Sequence, residues 1–71
     1  MYPMKLQISV RELEILRKSV YGLTVQQIAA DLNISVQEVD RSLKGVMKIT
    51  QSKEPFQAMQ SLAKNGFQVV D

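Results

Sequence analysis

The stretch LTVQQIAADLNISVQEVDRSLKGVMK, residues 23–48, predicts two helices joined by a short turn. Asn33 can adopt the left-handed conformation that ends a helix, and Ser35 can cap the next one. The apolar residues of the first helix have the i, i+3, i+4, i+7 spacing of a one-faced amphipathic helix: Val25, Ile28, Ala29 and Leu32. A helix pair with so short a turn is typical of the helix-turn-helix, whose second helix fits the DNA major groove.

Helix starts are marked by a hydroxyl residue with Glu or Gln three positions later, the pattern of a capping box. The three pairs are Ser9 with Glu12, Thr24 with Gln27, and Ser35 with Glu38. Together with the apolar periodicity they predict helices over about 10–20, 25–32 and 36–49. A fourth helix is predicted to begin near Pro55 and to end before Asn65, with residues 50–54 as a linker and no strand anywhere.

Length and composition limit the function classes. The 71 residues predict a single helix-turn-helix domain over 1–71, with 1–7 as a loose N-terminal arm. Cysteine and histidine are absent, so we expect no enzyme, no metal and no cofactor. The net charge of +2 permits nucleic-acid binding without demanding it. No membrane span or signal peptide is predicted, which favours a cytoplasmic location.

Three residues meet the packing requirements of a helix-turn-helix. Ala29 is small at the point where two helices must cross closely, and Ile34 is apolar where the turn enters the core. Val39 is placed to anchor the following helix. A generic helical hairpin would meet one of these conditions by chance more readily than all three.

The third helix presents its polar side opposite the apolar stripe that includes Val39 and Val46. We expect Arg41 and Lys44 to contact base edges and Lys48 to contact a phosphate, although charged residues also occupy any solvated helix face. Asp40 lies four residues before Lys44, so it is either an exposed helical ion-pair partner or an acceptor for cytosine N4. A third interpretation is a surface that has lost DNA binding. Glu38 is expected to close its capping box.

The chain resembles the LuxR-type (GerE-like) helix-turn-helix family. The residues that carry the resemblance are Ile8, Ser9, Arg11, Glu12, Glu14, Ile15, Leu16, Gly22, Thr24, Ile28, Ala29, Leu32, Ile34, Ser35, Val39, Ala58 and Gly66. It implies an all-α, four-helix, stand-alone DNA-binding regulator. The resemblance also places Asp40, Arg41 and Lys44 towards the groove, with Gln37 near the start of the reading helix.

Four positions depart from the family pattern. Glu38 stands where the family usually has Thr, Asp40 where it has Lys, Ser42 where it has His, and Pro55 where it has Arg. Several phosphate contacts that the resemblance implies are therefore missing.

The predicted fourth helix is apolar over an arc of about 160 degrees, which is wider than one core contact requires. In the family this helix commonly forms a two-fold dimer contact, for which the candidates are Phe56, Met59 and Ala63. The alternative is that the tail residues Phe67, Val69 and Val70 fold back over it.

Two functions from different classes follow. The first is a small sequence-specific transcriptional regulator that binds double-stranded DNA, reads the major groove with helix 36–49 and works as a homodimer. The second is a protein-interaction module of the same fold that binds and blocks a larger transcriptional regulator. The carboxylates of Glu38 and Asp40 motivate the second.

Overall fold

The structure, a computed structural model, describes residues 6–70. In that range the chain forms four helices and two short strands: β1 (Leu6–Ser9), α1 (Val10–Val20), α2 (Val25–Leu32), α3 (Val36–Thr50), α4 (Pro55–Asn65) and β2 (Phe67–Val70). The prediction of an all-α, four-helix domain is confirmed, with helix ends within a residue of those expected. The capping residues account for this agreement because they define helix starts locally.

Two of the three predicted capping boxes are complete. Ser9 Oγ accepts from the Glu12 N–H at 3.0 Å while the Glu12 carboxylate accepts from the Ser9 N–H at 2.9 Å. Thr24 and Gln27 make the same reciprocal pair. These bonds satisfy amides that would otherwise lack partners at the first turns of α1 and α2.

The third capping box is only half formed, so the prediction for Glu38 was wrong in that respect. Ser35 Oγ accepts from the Glu38 N–H at 3.0 Å. The Glu38 carboxylate, however, pairs with the Arg11 guanidinium of α1. A charged partner on the neighbouring helix takes the place of the Ser35 amide.

The prediction of no strand was also wrong. β1 and β2 form a parallel pair in the register Leu6↔Phe67 to Ser9↔Val70. Leu6 and Gln7 therefore belong to β1 rather than to a loose arm, whereas residues 1–5 lie outside the described residues. Strands of four residues carry too few alternations to give a period-2 signal, and their pairing depends on the helices that bring the two chain ends together.

The predicted linker at 50–54 begins one residue too early. Thr50 is the last residue of α3 and is buried, and its hydroxyl donates to the Val46 carbonyl at 2.8 Å. Gln51 follows in the left-handed conformation, with φ 54°, and ends the helix. The bond back to the helix satisfies the hydroxyl of a buried threonine, so Thr50 can continue the buried side of α3 beyond Val46.

The core consists of two clusters of buried residues. The first contains Ile8, Leu16, Val46, Ala58 and Leu62, and the second contains Ile15, Ile28, Ala29 and Val39. Leu43 of α3 packs against both clusters. The helix that we expect to read DNA is therefore held by both halves of the core through its inner side.

An ion pair joins α1 to α2. Lys18 Nζ bonds the Asp31 carboxylate across the helix pair. The hydrogen bond to Asp31 is the main reason why the pKa of Lys18 is raised above its ordinary value of 10.5. The contact lies outside both core clusters, so it adds to the orientation of α2 without burying charge.

Candidate nucleic-acid interface

The turn between α2 and α3 has the geometry that the sequence predicts. Asn33 ends α2 in the left-handed conformation with φ 57° and ψ 45°. Its N–H donates to the Ala30 carbonyl at 3.3 Å, and the Ile34 N–H donates to the Ala29 carbonyl at 3.0 Å. These bonds satisfy the last carbonyls of α2, and Ser35 then starts α3 as its N-cap.

The structure brings together the three residues proposed for helix-turn-helix packing. Ala29 is 5% exposed and Val39 is fully buried, both in the second cluster. Ile34 is half-buried and packs against the same cluster. The turn is thus anchored from α2, from its own middle residue and from α3, which fixes the angle between the two helices.

The outer side of α3 carries the residues proposed to contact DNA. All five are exposed: Gln37, Asp40, Arg41, Lys44 and Lys48. The inner side of the same helix holds Val39, Val46 and Thr50 in the core. Because the inner side is fully used in packing, the outer side is free to contact a partner.

Asp40 and Lys44 form an ion pair along this outer side, with Lys44 Nζ 2.9 Å from Asp40 Oδ2. The side chains are 51% and 78% exposed, respectively. The i, i+4 pair that the spacing suggests is therefore present in the protein without DNA.

A second carboxylate at the start of α3 is paired with a cation of α1. Glu38 Oε2 lies 3.5 Å from Arg11 Nη1, and each side chain is close to half exposed. The sequence analysis missed this contact because Arg11 and Glu38 are distant along the chain. Only the packing of α1 against α3 brings them together.

The distribution of ion pairs decides which cations of α3 are available to an anion. Within residues 6–70, ion pairs join Arg11 to Glu38, Lys18 to Asp31 and Lys44 to Asp40. Arg41 and Lys48 are the basic residues of α3 outside these pairs. Within the described residues, their charges are therefore not neutralised by an ion pair.

The exposed side of α4 combines a large and a small apolar residue. Phe56 is 58% exposed, and Ala63, two turns later, is also exposed. Met59 differs from both because it is half-buried and packs against the first cluster. Phe67 of β2 packs against that cluster too, whereas Phe56 stays exposed.

Residues 6–70 contain no group of three or more acidic residues arranged to hold a metal ion. No helix in this range has the length and apolar composition that crossing a membrane requires.

Comparison with known families gives a match over most of the chain. The family model for GerE, described as bacterial regulatory proteins of the luxR family, matches residues 6–54. The match runs from β1 to the N-cap of α4 and includes the complete helix-turn-helix. Comparisons with curated proteins and with solved structures returned no match.

Proposed function

Because the chain belongs to the LuxR family of bacterial regulatory proteins, which bind DNA through a helix-turn-helix, we propose that it is a sequence-specific transcriptional regulator that reads the major groove with α3. Membership of this family supports a role as a DNA-binding regulator.

The observation that carries the proposal is the division of α3 into two sides. Its inner side is held in both core clusters, whereas its outer side carries the exposed polar residues Gln37, Asp40, Arg41, Lys44 and Lys48. A helix fixed in this way, directly after a three-residue turn, can enter a groove about 12 Å wide without losing its packing.

We assign different contacts to different parts of the outer side. Arg41 and Lys44 lie in the middle of the helix and are proposed to reach base edges. Lys48 lies near the C-terminal end and is proposed to contact a phosphate. Gln37 is exposed in the first turn, where the reading helix of this motif contacts base edges. Asp40 faces the groove beside Arg41.

A two-fold dimer through α4 completes the proposal. Phe56 and Ala63 form an uncovered stripe, and a small residue at one end allows two helices to approach closely. A dimer would place two copies of α3 on half-sites about one DNA turn apart. We propose that the dimer works in the cytoplasm, where a bacterial chromosome is read.

One observation favours a second function. Glu38 and Asp40 place two carboxylates on the helix that would face DNA phosphates. A module that kept the fold but bound and blocked a larger transcriptional regulator would tolerate them better. We retain this as the alternative.

A titration into random-sequence duplex DNA at about 50 and 200 mM salt separates the two functions. A DNA reader must bind at the lower salt and lose affinity with a slope of about −0.9 per phosphate contact in a plot of log K against log salt. The matched control is Lys48→Ala, which removes a proposed phosphate contact and should reduce the slope by about one unit. Absence of binding at low salt would reject DNA reading and favour the interaction module.

A further inference from the structure

Asp40 and Lys44 occupy one turn of the proposed reading surface as a bonded pair. Their charged groups are 2.9 Å apart, on the side of α3 that points away from both core clusters. The two groups are chemically complementary, since the carboxylate only accepts hydrogen bonds and the ammonium only donates them. The pair therefore presents an acceptor and a donor side by side, from two positions one helical turn apart on α3.

This arrangement is poorly suited to contact with the DNA backbone. A phosphate attracts Lys44 and repels Asp40, and the bonded pair has no net charge to offer it. Lys48, which lies outside the described ion pairs, is better placed for that task. The pair matches a surface that itself carries an acceptor next to a donor.

The major-groove edge of a G·C base pair is such a surface. Guanine presents N7 and O6 as acceptors, and cytosine presents its N4 amino group as a donor. Lysine is a donor to guanine O6 and N7, and aspartate is an acceptor for cytosine N4. An A·T pair fits less well because its adenine amino group lies between two acceptors, N7 and the thymine O4.

We infer that Asp40 and Lys44 act together to read one G·C base pair, with Lys44 on the guanine and Asp40 on the cytosine. The inference rests on the proposed function and makes it specific. Asp40 becomes a determinant of base preference rather than a charge that DNA must tolerate. The existing ion pair holds both side chains near each other before the duplex arrives, which reduces the rotamer freedom lost on binding.

The test begins with the wild-type protein, for which bound sequences are selected from a random duplex pool. Each G·C position of the selected site is then replaced by the other three base pairs, and affinities are measured at one salt concentration. At one position the wild type should prefer G·C by about 5- to 150-fold, the range of a good base contact. Asp40→Ala and Lys44→Ala should each abolish the preference at that same position.

Two further variants sharpen the result. Asp40→Asn should shift the preference towards A·T, because an asparagine amide pairs with adenine N6 and N7. Lys48→Ala is the matched control, and it should weaken binding to all four duplexes by the same factor. All four variants change exposed side chains of α3, so their thermal unfolding should stay close to that of the wild type.

The outcomes distinguish this inference from the proposed function. If the wild type selects a site and Asp40→Ala retains every preference, the inference is overturned while DNA reading stands. The same holds if the two alanine variants lose preference at different base pairs. If the wild type binds no duplex at low salt, DNA reading and the inference fall together.

Discussion

Arg11 of α1 and Glu38 of α3 are joined across the helix pair, with 3.5 Å between Nη1 and Oε2. The carboxylate lies in the first turn of α3, where the helix dipole also favours a negative charge. One side chain therefore links the start of the reading helix to α1 and stabilises the helix terminus. Both side chains remain close to half exposed, which limits the energy of the link.

A double-mutant cycle measures this link directly. Glu38→Gln should lower the free energy of unfolding by about 0.5 to 1.5 kcal/mol, because it removes both the ion pair and the dipole interaction. In a protein that already carries Arg11→Gln, the loss caused by Glu38→Gln should be smaller by about 0.2 to 1 kcal/mol, which is the coupling energy of the ion pair. Urea denaturation of the four proteins gives the values. Strictly additive effects would contradict a contribution from the ion pair.

The close crossing at Ala29 should not accept a larger side chain. Ala29→Leu adds methylenes to a site that is 5% exposed, so we expect overpacking to cost about 1 to 3 kcal/mol. Ala30→Leu is the matched control because Ala30 is exposed on the same helix. Urea denaturation should separate the two variants clearly. Equal stability of both would reject the role of Ala29 in helix packing.

Loss of the Phe56 side chain should weaken self-association more than it weakens folding. Phe56→Ala removes a side chain that is 58% exposed, so the unfolding free energy should change by less than about 1 kcal/mol while the dimer weakens. Met59 is unsuitable for this test because it also packs on the first cluster. Sedimentation over a range of concentrations gives the dimer constant. The control is Tyr21→Ala on α1, which is 79% exposed.

A wild type that stays monomeric at high concentration would reject the α4 dimer. Equal weakening by Phe56→Ala and Tyr21→Ala would place the contact elsewhere.

Stability at alkaline pH should report on Lys18. The hydrogen bond to Asp31 raises the pKa of Lys18 above 10.5 in the folded protein. The folded protein therefore holds the lysine proton more tightly than the unfolded chain does, and the charged lysine stabilises the fold. That contribution is fully present below the unfolded pKa and is lost as the pH rises through the folded pKa. The stability difference between wild type and Lys18→Met should be constant from about pH 6 to 9 and shrink above about pH 10.5. A difference that grows with pH would contradict the assignment.

The sequence predicts those parts of the fold whose signals are local. Thr24 and Asn33 delimit α2 through their own side chains and backbone, and the structure has the helix between them. The pairing of Leu6 with Phe67 carries no such signal, since it exists only after the helices have brought the two ends together. A short strand of this kind cannot be predicted from periodicity.

In the candidate site, too, the contacts between near neighbours in sequence could be predicted and the contacts between helices could not. The Asp40–Lys44 pair follows from helical spacing and was anticipated from sequence, whereas the Arg11–Glu38 pair depends on how α1 crosses α3. Local capping rules assigned the Glu38 carboxylate to the amide of Ser35. Tertiary packing supplied a charged competitor that those rules could not include.

Arg41 and Lys48 should respond to substitution in different ways, although both are basic and exposed on α3. A base-edge contact carries sequence information, so Arg41→Ala should cost about 1 to 3 kcal/mol at the selected site and much less on random duplex. A phosphate contact is the same on every sequence, so Lys48→Ala should weaken both duplexes equally. It should also reduce the salt slope by about one unit. Titrations of each variant into both duplexes, at three salt concentrations, give the affinities and slopes together. If Arg41→Ala weakens binding to both duplexes equally, Arg41 contacts the DNA phosphate backbone and not a base edge. If neither variant changes binding, α3 faces a protein instead of DNA.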